Sequence, residues 1–223
     1  MSTYTIPNVI AEHPRGDRIM DVYSHLLAER IVYLGTAIDP GVANTLTAQL
    51  IYLEARSPDQ EINLYINCEG GDMTSMLAVY DTMRFIQAPV YTTCVGQAIA
   101  AGAVLLAAGA PGHRLMLPHA RILMHQGSAG IGGSAVEVEL QAADLRQTRD
   151  TVLGLIAEDT GQPFERIFED SRHDHWYSAT EARDYGFVDA IAESFGQVMP
   201  SKKHPFGLRA PAGVRQNGEE ARS

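Results

Sequence analysis

Cysteine is scarce: Cys68 and Cys94 are the two in 223 residues, too few for the disulfide framework of a small secreted protein. Long apolar runs are missing. The richest, Ala98–Ala110, falls short of a membrane span and is interrupted by Gly102 and Gly109,. Residues 1–30 carry charges throughout, so no signal peptide is expected and the expected location is cytoplasmic,. Basic clustering is also absent. A net charge of −10 leaves no footprint for nucleic acid and speaks only to solubility. There is no G-x-x-x-x-G-K-[ST] loop for a nucleotide,. What remains is 45% hydrophobic and 20% charged, the balance of a globular domain able to bury its own core.

Strand, glycine turn and helix follow one another along the chain, an α/β pattern. Ile19, Met20, Val22, Leu26 and Leu27 recur at helical spacing, and a strand is expected at Ile31–Leu34,. Asp39 to Arg56 reads as a helix with Pro40 in its first turn,. Ile62, Leu64 and Ile66 alternate with Asn63, Tyr65 and Asn67, which predicts a strand with one buried face,. After Gly70-Gly71 a helix is expected to about Phe85. A strand over Val90–Val95 should break at Gly96, ahead of a small-residue helix over Ala98–Ala108. Short strands are expected around Leu115 and Leu123, and a long helix from Ser134 to Asp159, stopping at Gly161. Ser178-Ala179-Thr180-Glu181 is a capping box whose helix ends at Gly186,. From Gln197 the apolar periodicity stops, and residues 197–223 read as a disordered tail behind a domain over 1–196,.

Two strand-to-helix junctions carry the strongest chemical signal: Asn67-Cys68-Glu69-Gly70-Gly71 and Cys94-Val95-Gly96-Gln97-Ala98-Ile99-Ala100. Glycines at a strand end let backbone amides face a ligand, an arrangement that suits an oxyanion. A glycine pair alone more often makes only a tight bend. His125 ends a third strand, and Asp174 lies between His173 and His175. No second cluster with ligand spacing accompanies them, so no metal and no cofactor are expected.

Many ordered segments resemble the Clp protease proteolytic subunit (ClpP) family over about Ile6 to Ser194. Among them are Ile6-Pro7-Asn8-Val9-Ile10, Asp21-Val22-Tyr23-Ser24, Ile31-Val32-Tyr33-Leu34-Gly35, Leu64-Tyr65-Ile66-Asn67, Val79-Tyr80-Asp81-Thr82-Met83, Leu117-Pro118 and Tyr185-Gly186. The resemblance implies an α/β fold, a spiral of ββα units, with an N-terminal axial segment over 1–18 and a handle helix over about 134–160. It also implies serine peptidase chemistry from a Ser-His-Asp triad. On that pattern His125 is the base, Asp174 its orienting carboxylate, and the amides of Gly71 and Ala101 the oxyanion hole. The nucleophile position is Ala100.

A methyl group offers neither a proton to remove nor an atom to form an acyl-enzyme. Losing the nucleophile costs on the order of 10⁶ in kcat in a comparable serine protease, so ordinary hydrolysis is not expected. Cys94, Cys68 and Ser128 are the nominal substitutes, each more simply read as packing or loop. Further departures accompany Ala100. The family's usual Ser-Pro-Gly-Gly-Ser run is Cys68-Glu69-Gly70-Gly71-Asp72 here, Gly127 replaces a common proline, and Arg172-His173 replaces an acid-arginine pair that senses ring contact. A carboxylate of Asp72 aimed into the site would repel a tetrahedral intermediate by as much as about 4 kcal/mol. Several changes together favour a natural, degenerate paralogue over a single engineered Ser-to-Ala change.

The resemblance further implies heptameric or tetradecameric rings, an AAA+ Clp ATPase docked near Tyr65, and unfolded polypeptide as the cargo. ATP would bind the ATPase and not this chain. The expected role is a structural or regulatory ring subunit. An active peptidase and a crotonase-type acyl-CoA enzyme, with Glu69 or Asp72 as its acid, are the alternatives.

Overall fold

A computed structural model describes residues 5–11, 16–127, 130–194, 196 and 198. Ser128 and the segment from residue 197 on, Val198 apart, lie outside them, as does most of the N-terminal stretch to residue 15. Strands β1 (Asn8–Ala11) and β2 (Arg18–Asp21) form an antiparallel hairpin. Ile19 and Met20 therefore pair with Ile10 and Val9, and the helix α1 spans only Val22–Ala28, where Asp21 caps it by accepting from the Ser24 N–H. The helical spacing across residues 19–27 was a coincidence of a strand running straight into a helix.

The central sheet runs β3 (Ile31–Leu34), β4 (Ile62–Cys68), β5 (Val90–Ile99), β6 (Arg114–Met116) and β9 (Ala190–Ile191), all parallel. Parallel sheets are covered on both faces. That is why β4 is buried along most of its length, Asn63 included, where alternation had predicted one exposed face. Helices α2 (Pro40–Arg56) and α3 (Met73–Phe85) supply Leu46, Leu50, Leu53, Met76, Val79 and Met83 to the core. Pro40 stands in the first turn of α2 as expected, and Asp39 just before it is the cap, accepting from the Val42 N–H.

β5 continues through Gly96 and serves two partners. Thr92–Cys94 pair with β6, and Gln97–Ile99 pair with β7 (Arg121–Met124). The sheet forks where one strand hands over to the other, and a side chain at Gly96 would meet the Asn67 Oδ1 at 2.5 Å. β7 then pairs antiparallel with β8 (His175–Tyr177). The result is a mixed α/β fold built around a parallel sheet.

Helix α4 (Ala101–Ala107) is buried at every residue, which small side chains permit between the sheet and α5. α5 (Ala135–Thr160) begins in a Ser134–Glu137 capping box and ends at Gly161. Of its 26 residues only Val152, Leu153 and Ile156 are buried. The shorter α6 (Phe164–Asp170) and α7 (Ala179–Tyr185) complete the chain order, α7 in the expected capping box at Ser178. Arg114 ties this end together: its guanidinium grips Asp189 at 2.6 and 3.0 Å and donates to the Asp159 carbonyl at 2.6 Å. Among the described residues no helix is long and apolar enough to cross a membrane.

Candidate active site

The turn between β5 and α4 sets the site. Pairing with β7 holds the chain up to Ala100, whose N–H donates to the Leu123 carbonyl at 2.9 Å. The Ala100 carbonyl already accepts from Ala103 and Val104, so the helix starts at once. The chain makes both connections only by placing Ala100 at φ 44°, ψ −103°. Such backbone angles are strained for any residue with a Cβ, cost on the order of 1–3 kcal/mol, and cluster at functional sites. A sharp strand-to-helix turn of this kind exposes its central side chain at the strand's end, the position of a nucleophile. Here that side chain is a methyl.

Gly71 lies on the adjacent strand end. It bridges Ile38: the Ile38 N–H donates to the Gly70 carbonyl and the Asp72 N–H to the Ile38 carbonyl, both at 2.8 Å. Because neighbouring amides alternate in direction along an extended segment, the N–H of Gly71 faces away from Ile38. Only glycine fits, since φ is 142° and a Cβ would meet the Ile38 oxygen at 2.2 Å. Ala101, first residue of α4, contributes an N–H of the kind left without a partner inside its own helix,.

Gly71, Ala100 and His125 line one cavity of about 750 Å³. The strand ends form one wall, and α5 forms the opposite one through Gln141, Leu145, Thr148 and Val152. Nothing in the sequence pointed to α5 as a wall, because its apolar residues are not segregated on one face. Asp72 also lines the cavity, but its carboxylate caps α3, accepting from the Ser75 N–H at 2.8 Å. The Ser75 hydroxyl and backbone N–H hold the Asp72 carboxyl below the usual carboxylate range. The ion is thus engaged by the start of a helix, which meets part of the repulsion expected from it.

His125 follows β7 directly. β7 and β8 pair Leu123 with Trp176 and Met124 with His175, so the next rung of the same register sets His125 opposite Asp174. The ladder stops one residue short of that rung. Gln126 turns away, donating its N–H to the Ser171 carbonyl at 3.0 Å and its side-chain amide to Phe168 at 2.9 Å. No hydrogen bond or ion pair among the described residues joins His125 to Asp174, which is exposed. The Nδ1 of His125 instead accepts from the Gly127 N–H at 2.8 Å.

Neither cysteine lines the cavity. Cys68 packs beneath it against Gly102, where a Cβ would come within 2.9 Å of the Cys68 Cβ. Both thiols are fully buried. Burial pushes the Cys68 thiol up and the Cys94 thiol up to about 11, so neither forms the reactive thiolate. Arg172 and His173 are exposed in the turn between α6 and β8, with Arg172 paired to Glu169 at 3.2 Å. Tyr65 is half-buried on β4 and donates its hydroxyl to the Val198 carbonyl at 3.1 Å. No group of three His, Cys, Asp or Glu side chains among the described residues is placed to hold a metal.

The Clp protease family model matches residues 14–195. The chain is 61% identical over 197 residues to the ATP-dependent Clp protease proteolytic subunit 1 of Nocardia farcinica, covering 88% of this chain and 100% of that one. It is 50% identical over 191 residues to proteolytic subunit 4 of Rhodococcus jostii, covering 86% of this chain and 98% of that one.

Proposed function

This chain belongs to the Clp protease family, and we propose that it is a non-hydrolytic ring subunit of an ATP-dependent Clp protease. The observation that carries this reading is Ala100 at the strained turn facing the cavity, with His125 and Gly71 beside it. Elements of acyl-transfer chemistry are retained: an imidazole, a carboxylate at the adjoining register position, and the amides of Gly71 and Ala101 for an oxyanion. The nucleophile is not. Without a hydroxyl there is no proton for His125 to take and no acyl-enzyme to form. The buried, protonated thiols of Cys68 and Cys94 do not replace it.

What the subunit keeps is the capacity to assemble. Helix α5 exposes Val136 (66%), Leu140 (66%) and Leu145 (41%), an apolar surface on a helix whose first half has little cover among the described residues. Buried against other subunits, this handle helps build a heptamer stacked with a second ring. Arg172 and His173 meet the partner ring at an altered contact, which favours a partner of different sequence. An AAA+ ATPase docks near Tyr65 and feeds unfolded polypeptide into the chamber, where active relatives cut it.

Native mass spectrometry of this chain expressed with an active Clp-type subunit tests the reading. Mixed rings containing both chains are expected. Recovery of this chain only as a monomer would overturn it.

A further inference from the structure

The hydrogen bond from Gly127 to His125 has a chemical consequence of its own. A ring nitrogen that accepts an N–H carries a lone pair, so the neutral imidazole of His125 holds its proton on Nε2,. A general base in acyl transfer needs the opposite tautomer: Nδ1–H held by a carboxylate, with the Nε2 lone pair free to take the nucleophile's proton. Bonded as it is, His125 presents the cavity with a donor instead of a base.

Asp174 and the Gly127 amide are rivals for the same atom. Register sets Asp174 opposite His125, where a carboxylate accepts only if Nδ1 carries a proton. The Gly127 N–H donates to Nδ1 only if Nδ1 does not. One nitrogen cannot meet both requirements, and the structure shows the amide in possession. The turn that delivers this amide has Gly127 at φ 80°, a conformation that side-chain-bearing residues seldom adopt.

We propose that Gly127 is a positioning residue that locks His125 in the Nε2–H tautomer, making the site a hydrogen-bond donor whatever residue stands at position 100. The proposal deepens the non-hydrolytic reading of this site. Silence then has two separate causes, a missing hydroxyl and a base held in the wrong protonation pattern. Restoring serine removes only the first.

Two measurements on the full chain test it. Nitrogen-15 spectra of ring-labelled histidine, with His125 assigned by comparison with His125→Gln, should show an unprotonated Nδ1 and a protonated Nε2 in the neutral protein. The reverse pattern overturns the proposal. This readout needs neither a nucleophile nor a partner subunit, so it stands even if mixed rings are not found. Peptide hydrolysis by Ala100→Ser is then compared with Ala100→Ser/Gly127→Pro. Proline removes the N–H and cannot hold positive φ. The turn must rebuild at the negative φ that proline requires, and no described atom lies closer than the Met73 Cε, 3.9 Å from a Cβ added at this exposed position. Holding a catalytic histidine in the wrong tautomer costs on the order of 10⁴ in kcat. The double variant should exceed the single one by at least about 10²-fold, and equal rates in the two overturn the lock.

Discussion

Replacing Ala100 by glycine should make the protein more stable, against the usual effect of glycine. At φ 44° and ψ −103° the alanine Cβ is held where only glycine is comfortable, at a cost of roughly 1–3 kcal/mol. Glycine relieves that strain but gives the unfolded chain more freedom, losing about 0.5–1 kcal/mol. Removing a half-buried methyl loses a further few tenths, about half of the ~0.8 kcal/mol for a fully buried one. The balance is a gain of about 1 kcal/mol, or roughly 2–4 °C in Tm for a chain of this size. Urea unfolding at fixed protein concentration reads it as a higher midpoint with an unchanged slope. Ala101→Gly is the control: one residue on, the backbone is helical and the methyl fully buried, so the same substitution should destabilise by about 1 kcal/mol or more. If Ala100→Gly destabilises as Ala101→Gly does, the turn is not strained and the reading of it as a preserved nucleophile position fails.

Arg114→Ala should cost roughly 1.5–3 kcal/mol, because the part-buried Asp189 carboxylate keeps only backbone donors, the N–H of residue 114 among them, and the Asp159 carbonyl at the end of α5 loses its side-chain donor,; denaturant unfolding checks this. Cys94 gives a pH signature. Its folded pKa of about 11 lies above the ordinary 9.0, so the unfolded chain releases this proton first. Stability from the buried neutral thiol is complete below pH 9 and is lost as pH rises towards 11. Unfolding free energy should fall less steeply across that window in Cys94→Ala than in the parent, and parallel curves would refute the buried thiol.

Much of the architecture is legible in the residues, because helix signals are local. Asp39-Pro40, the long helical run opening at Ser134 and the Ser178–Glu181 box each place a helix start where it is found. Strand signals served less well. Gly96 looks like a break, yet β5 runs through it because pairing passes from β6 to β7 there, a tertiary event no window of sequence contains. Ile19 and Met20 mimic helix periodicity because two elements abut without a linker. At the site, alanine in place of serine was visible at once, whereas the partner of His125 was not. Every residue except proline carries an N–H, so nothing in the letter G at position 127 announces that its amide would take Nδ1 from Asp174,. The wall supplied by α5 was hidden for a similar reason: helix-to-sheet packing over a long separation decides which face closes the cavity.

The most direct test of a site without a nucleophile is reaction of the purified, assembled chain with a fluorophosphonate probe, followed by mapping of any adduct, alongside hydrolysis of short peptides. With a methyl at Ala100 and both thiols buried and protonated, no covalent adduct and no turnover are expected. An adduct on any residue lining the cavity, or peptide cleavage by this chain alone, would contradict the assignment of a non-hydrolytic subunit.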